Sequence, residues 1–310
     1  MRLIQAGCRL AHRGWLLGLL VLAWWPAPGA AAITVRDDTG RAVTLAQPAA
    51  RIVSLAPHAT ELLFAIGAGE RIVGTVSHSD YPSAARRIPR VGGYSRLDLE
   101  RIVALEPALI VGWSSGNPPT VLARLRALGF AVYESEPRAV TDIAEALRRL
   151  GALTGERAQA EAAAQRLAAG FAELRQAHAE DRPVATFYQV WADPLLTVNG
   201  EHIISEVIAL CGGRNVFSGL AALTPRVDVE AVLAADPQAI VASGMAAARP
   251  EWLDAWRAWP ALRAVRTGQL HFVPPDLLQR PTPRLLTGAR QLCAQLDEAR
   301  AAIDEEAGDE

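Results

Sequence analysis

An imidazole, a hydroxyl and a carboxylate stand side by side at His78-Ser79-Asp80, followed by Tyr81, with His58 upstream. Such groups can activate a hydroxyl for nucleophilic attack when base and orienting acid converge on it. Here they crowd into one short stretch, and no strand-to-helix nucleophile elbow surrounds Ser79. His58, His202 and His271 are scattered without the carboxylate-rich spacing of a zinc site. No glycine-rich dinucleotide fingerprint is present. All 31 Lys+Arg residues are arginine, which removes phosphate-loop, Schiff-base and pyridoxal chemistry. A formal net charge of −2 leaves no basic footprint for nucleic acid. The chain is expected not to be an enzyme, with an exported hydrolase or chelatase kept as an alternative.

The residues suit binding better than turnover. Trp113 ends an apolar run just before Ser114-Ser115-Gly116-Asn117, so it reads either as core or as the wall of a cleft. Asp276 and Arg280 stand four apart between prolines 274, 275, 281 and 283. They fit a helix-surface ion pair or a rigid loop that presents polar groups to a ligand.

Two glutamates recur in one repeated phrase. Residues 99–111 and 229–241 align at a single offset, which pairs Glu100 with Glu230, Pro107 with Pro237 and Ile110 with Ile240. A fainter match precedes each copy, Thr60-Glu61-Leu62-Leu63 and Ser205-Glu206-Val207-Ile208. One repeat at this spacing implies two similar lobes rather than a solenoid. Both Glu100 and Glu230 also fit as first-turn acids at helix N-termini.

At 310 residues the chain is long enough for two cores. Arg2, Arg9 and Arg13, the apolar run Gly14–Trp25 and Ala30-Ala31-Ala32 read as a removed signal peptide over 1–32. The apolar run is too short for a comfortable membrane span. Cys8 leaves with the leader, and Cys211 with Cys293 remain as an even count in an oxidising compartment, the pattern of a disulfide.

The elements that position these residues alternate. Strands are expected at 51–55, 72–76, 109–111 and 130–134, with helices following Pro57, Asp98, Pro119 and Val140. They make an N-terminal lobe over 33–152. Residues 156–179 are the most helical stretch, giving a linking helix over 153–180. Strands at 183–190, 239–243 and 270–273 open a C-terminal lobe over 181–310. The fold class is α/β: two similar Rossmann-like lobes with central parallel sheets, joined by one long helix, with the ligand cleft between them. A stiff helical link implies small lobe movements.

With these motifs in order, the mature chain resembles the cobalamin-binding periplasmic proteins of vitamin ABC importers, within the helical-backbone metal-chelate receptors. The resemblance rests on Arg51-Ile52-Val53-Ser54-Leu55-Ala56-Pro57 with Thr60-Glu61, Ser79-Asp80-Tyr81-Pro82 and Leu99–Leu105. It continues through Cys211-Gly212-Gly213, Pro237–Val241, and Pro283-Arg284 with Arg290–Cys293. It implies a corrinoid held in the periplasm by His78, Tyr81, Tyr94, Trp113, Trp191, Leu196, Asp276 and Arg280, with no prosthetic group and cobalamin as cargo.

Departures from the family pattern are His78 for a tyrosine, Tyr94 for a tryptophan, Leu196 for a phenylalanine and Thr224 for a tryptophan. Trp191 stands near enough in sequence to compensate. No resident metal is implied, although the His78 imidazole could ligate a bound cobalt chelate. The resemblance makes Glu100 and Glu230 docking residues for an inner-membrane permease and ATPase, and a monomer is expected. Haem, for which Tyr81 or Tyr94 would be the axial ligand, or a ferric siderophore is the alternative cargo.

Overall fold

The computed structural model describes residues 31–244 and 248–309. The expected signal peptide, apart from its last two residues, and Cys8 lie outside the described residues. Chain order begins with an antiparallel hairpin, β1 (Ile33–Arg36) and β2 (Ala42–Leu45). There follow β3 (Ile52–Ser54), α1 (Pro57–Ala65), β4 (Ile72–Gly74), a short ribbon of β5 (Gly92–Gly93) and β6 (Arg96–Leu97), and α2 (Leu99–Ala104). β7 (Leu109–Trp113), α3 (Pro119–Ala127), β8 (Val132–Ser135) and α4 (Val140–Thr154) complete the first half.

After α5 (Arg157–Ala177) come β9 (Val184–Gln189), a ribbon of β10 (Trp191–Ala192) and β11 (Leu195–Leu196), α6 (Ile203–Leu210), β12 (Gly213–Asn215) and α7 (Val229–Ala235). β13 (Ala239–Ala242), α8 (Arg263–Arg266), β14 (Leu270–Phe272), α9 (Pro275–Leu278) and α10 (Leu285–Asp309) end the chain.

Each half builds one four-stranded parallel sheet, ordered β4-β3-β7-β8 and β12-β9-β13-β14. Numbered within its own half, each order is 2-1-3-4, so the repeated phrase marks a repeated topology. In both halves the first strand leads toward a helix, α1 or α6, and a short helix, α2 or α7, precedes the third strand. The α/β class with two parallel-sheet lobes is as expected. The linking helix begins at Arg157 rather than 153, because α4 runs on to Thr154 and stops at Gly155, whose φ of +80° ends a helix readily.

Strand side chains alternate between an outer and an inner layer. Ile110 packs outward with Val53, Ile102 and Leu122, and Ile240 outward with Phe187, Val232 and Trp256. Leu109 and Val111 of β7 and Ala239 and Val241 of β13 point inward, into one apolar cluster. That cluster also takes in Leu62 and Leu63 of α1, Leu147 and Leu150 of α4, Leu167 and Phe171 of α5, and Ile204 and Val207 of α6. The two sheets therefore share a continuous core, and wide separation of the lobes would expose it to water.

Cys211 and Cys293 form the expected disulfide, with Cα atoms 4.6 Å apart at a sequence separation of 82. Cys293 lies in α10, whereas Cys211 is the residue just beyond α6, so the bridge pins the end of α6 to α10. Both are buried. Among the described residues no helix is long and apolar enough to cross a membrane. Replacing both cysteines by serine should lower stability by about 4 kcal/mol from the loop length. Comparing urea midpoints of the oxidised protein and the double variant checks this, with wild-type behaviour of the variant as the opposing result.

Candidate functional site

Ligands of open parallel sheets bind beyond the C-terminal strand ends, and here residues following strands of both halves meet around one cavity. Trp113, Glu136, Pro137 and Arg138 line it from the first half, and Glu201, His202, Ile203, Leu223, Gln279 and Pro281 from the second. Its volume is about 90 Å3, space for a few waters rather than for a large ligand, whose pockets run to roughly 300–1,000 Å3. A macrocycle must therefore lie across the mouth or part the walls. A concavity of about 840 Å3 beside the first hairpin is larger, but its acids are already engaged. Asp38 accepts from Glu136 N and pairs with Arg149, and Asp142 accepts from Arg138 N and Ala139 N.

Trp113 is set by the loop that follows it. Asn117 Oδ1 accepts from Trp113 N at 2.7 Å, while its Nδ2 donates to Leu55 O at 2.9 Å and Tyr94 O at 2.8 Å. One amide thus ties the ends of β3 and β7 to the Tyr94 turn. Tyr94 is tilted against Trp113 with ring centroids 5.6 Å apart, and His58 meets the indole edge-on at 5.5 Å. The indole lies over Gly116, where a Cβ would come within 1.9 Å of the ring. His58 is buried, within 3.3 Å of Ser135 Oγ. Loss of hydration, then the nearby Arg280 charge, lowers its pKa to about 4.

The second feature is a charge cluster joining the two halves. Glu61 on α1 has a side chain only 3% exposed. Its Oε1 accepts from Arg280 Nη1 at 2.8 Å and Arg284 Nη2 at 2.7 Å. Its Oε2 accepts from Arg284 Nε at 2.9 Å and Thr282 Oγ1 at 3.1 Å. Arg280 also reaches Asp80 at 3.2 Å, Asp276 at 2.8 Å and His78 O at 3.2 Å.

Asp276 and Arg280 form an ion pair, the alternative to a ligand role, with Asp276 in the single turn of α9, and Arg280 is held by four protein acceptors. His78 is exposed with a left-handed φ of +65°, a sparsely populated conformation that the Arg280 contact to its carbonyl helps fix. Tyr81 stands apart from Trp113. Its ring lies 3.9 Å from the Arg284 guanidinium and lines a separate interlobe concavity with Glu61, Phe64 and Pro283. Trp191 and Leu196 face each other across the β10–β11 ribbon, and Trp191 Nε1 donates to Asp193 O at 2.8 Å.

Thr60-Glu61 and Pro283-Arg284, landmarks of the family resemblance with no site role in the sequence, supply the charge cluster. His202, set aside in the sequence as a zinc ligand, was not assigned to the site either. This histidine lines the cavity while its Nδ1 accepts from Ile204 N at 3.1 Å, capping α6. That bond leaves the proton of the neutral ring on Nε2. Burial lowers the His202 pKa to about 4. The one metal-compatible group among the described residues, His178 with Asp181 and Asp297, is elsewhere, and Arg300 already pairs with both carboxylates.

The profile of the periplasmic binding protein family matches residues 52–277. The chain belongs to that family. A vitamin B12-binding protein of Vibrio cholerae serotype O1 strain O395 is 39% identical over 250 residues, covering 80% of this chain and 90% of the relative. A vitamin B12-binding protein of Yersinia pestis strain Pestoides F is 34% identical over 279 residues, covering 90% and 96%. The solved periplasmic vitamin B12 binding protein BtuF of Vibrio cholerae superposes with a TM-score of 0.75 at 38% identity, over 81% of this chain and 98% of that one.

Within this family member, Glu100 and Glu230 occupy equivalent places as the second residues of α2 and α7. Asp98 Oδ1 accepts from Arg101 N at 3.0 Å, and Asp228 Oδ1 from Ala231 N at 2.7 Å. The aspartates therefore cap these helices. Both glutamates are exposed, and neither has a hydrogen-bond or ion-pair partner among the described residues.

Gly116→Ala should push the Trp113 indole aside, moving the Trp113 resonance alone in a fluorotryptophan NMR spectrum; an unchanged spectrum would show the ring is not seated on Gly116. Unfolded imidazoles take up protons below about pH 6.5, whereas folded His58 and His202 refuse them until about pH 4. Stability is therefore full above pH 6.5 and falls as pH drops toward 4, by roughly 3 kcal/mol for His58 at the acid end. Replacing His58 by glutamine should flatten that slope in a urea titration series.

Proposed function

We propose that this protein captures a corrinoid, cobalamin in the first instance, in the periplasm and hands it unchanged to an inner-membrane ABC importer. The observation that carries the reading is that relatives named for vitamin B12 binding match most of the chain. A corrin is broad, largely apolar and edged with amides. Flat rings such as Trp113 and Tyr94 suit its faces, and fixed polar groups such as His202 Nε2–H suit its rim. Arg280 contributes less freely than the resemblance implies, because its guanidinium is already shared among Glu61, Asp80, Asp276 and the His78 carbonyl. His78, Tyr81, Trp191, Leu196 and Asp276 stay in this reading as rim residues that a large ligand would reach beyond the small cavity. His78 is read as a rim contact rather than a cobalt ligand.

Glu100 and Glu230 are the proposed docking residues. Two exposed charges on equivalent helices fix register and encounter rate with a basic partner more than they add affinity. The protein acts as a monomeric, stoichiometric carrier, and the importer's ATPase does the work.

Parallel calorimetric titrations with cyanocobalamin, haemin and a ferric siderophore test the cargo. Cyanocobalamin should bind one to one and most tightly, and Trp113→Ala should weaken it by about 2 kcal/mol, or some thirtyfold. Tighter binding of haemin or the siderophore would replace the cargo. For docking, the double substitution Glu100→Arg with Glu230→Arg should abolish importer-dependent uptake at unchanged cyanocobalamin affinity, whereas normal uptake would remove the glutamates from the interface.

A further inference from the structure

The fainter repeat, Glu61 in the first half and Glu206 in the second, acquires a physical meaning in three dimensions. The two residues occupy equivalent helices, α1 and α6, each entered after the first strand of its sheet. Each reaches across to the opposite half. Glu61 holds Arg280, Thr282 and Arg284 of the second half through four hydrogen bonds of 2.7 to 3.1 Å. Glu206 Oε2 accepts from Val140 N of the first half at 2.9 Å, satisfying an amide at the start of α4. The segments they grip adjoin the walls of the shared cavity. Gln279 and Pro281 flank the Arg280 contact, and Glu136, Pro137 and Arg138 lead directly into Val140.

We infer that Glu61 and Glu206 are reciprocal positioning residues that set the spacing of the two cavity walls and so the grip on the ligand. This rests on the proposed corrinoid reading of the cavity, and it adds residues outside the resemblance-based site. The two grips differ in strength. Glu61 is nearly water-free and pairs with two guanidinium groups, so its loss takes from Arg284 its closest carboxylate and leaves Arg280 only the more exposed Asp80 and Asp276. Glu206 is half-buried and holds a single amide. The cavity holds only a few waters, so a macrocycle across its mouth bears on both walls, and the glutamates hold those walls against it. Affinity differences within one interface reside mostly in dissociation, so release is the rate the grip controls.

The experiment compares Glu61→Gln, Glu206→Gln and wild type in two readouts. Hydrogen exchange of the ligand-free proteins should be faster over 279–285 in Glu61→Gln and over 136–142 in Glu206→Gln. Release of cyanocobalamin in stopped flow should be about tenfold faster for Glu61→Gln and about threefold faster for Glu206→Gln, each within the range of coupled contacts. The serine double variant of the disulfide serves as the control: it loses stability but should release ligand at the wild-type rate. Thr282→Val, which removes one neutral bond to Glu61, gives a milder version should Glu61→Gln fold poorly.

Wild-type exchange and wild-type release in the glutamate variants would overturn the inference. So would equal acceleration in the disulfide control, since that marks a merely structural effect. If wild-type protein does not bind cyanocobalamin, the cargo reading fails, and the ligand-free exchange still decides the role of the glutamates.

Discussion

A carboxylate almost removed from water must be neutralised where it stands, and Glu61 is neutralised by two arginines more than two hundred residues away in sequence. Desolvating three charged groups is costly unless hydrogen bonds replace their hydration. Each oxygen of Glu61 accepts two bonds from the 280–284 segment, so the replacement is full. The cluster fixes the His78 carbonyl and orients Asp276 and Asp80, and its Arg280 charge adds to the burial that keeps His58 neutral behind Trp113. Disturbing it would act on both halves at once.

The same logic operates at the scale of the fold. Two copies of one topology could have packed as separate domains with a wet interface. Here the inner faces of both sheets and helices α1, α4, α5 and α6 bury a single apolar cluster. Small changes of wall spacing are compatible with such a core, and wide hinge motion is not. A carrier of this construction is ordered before its ligand arrives, so little conformational entropy is lost on binding.

Much of the frame was legible in the sequence. Apolar runs such as Leu109-Ile110-Val111 are buried on both faces, which gives continuous hydrophobic patterning. Asp98 acts through local chemistry and marks the start of α2, whereas the stop at Gly155 was not read and the linking helix was placed from 153. The cysteine pairing followed from an even count. The site was less legible because its decisive contacts are long-range. Nothing near Glu61 in sequence reveals its arginines, so it read as a motif landmark. Arg280 read as a ligand donor because its protein acceptors Glu61 and Asp80 come from the other half. Tyr81 read as a residue of the same binding site as Trp113, and it lines a different concavity with Arg284. His202 gave only one local signal, its position two residues before Ile204 at a helix start, and that motif is seldom made by histidine.

The direct test of the whole account is where the ligand sits. Hydroxyl-radical footprinting with and without cyanocobalamin reads this residue by residue. The expected result is protection of Trp113, Tyr94 and His202, from both halves of the chain, with Trp256 in the outer layer unchanged. Protection confined to the Asp37–Gly40 concavity, or none at Trp113, would contradict a ligand held between the two lobes.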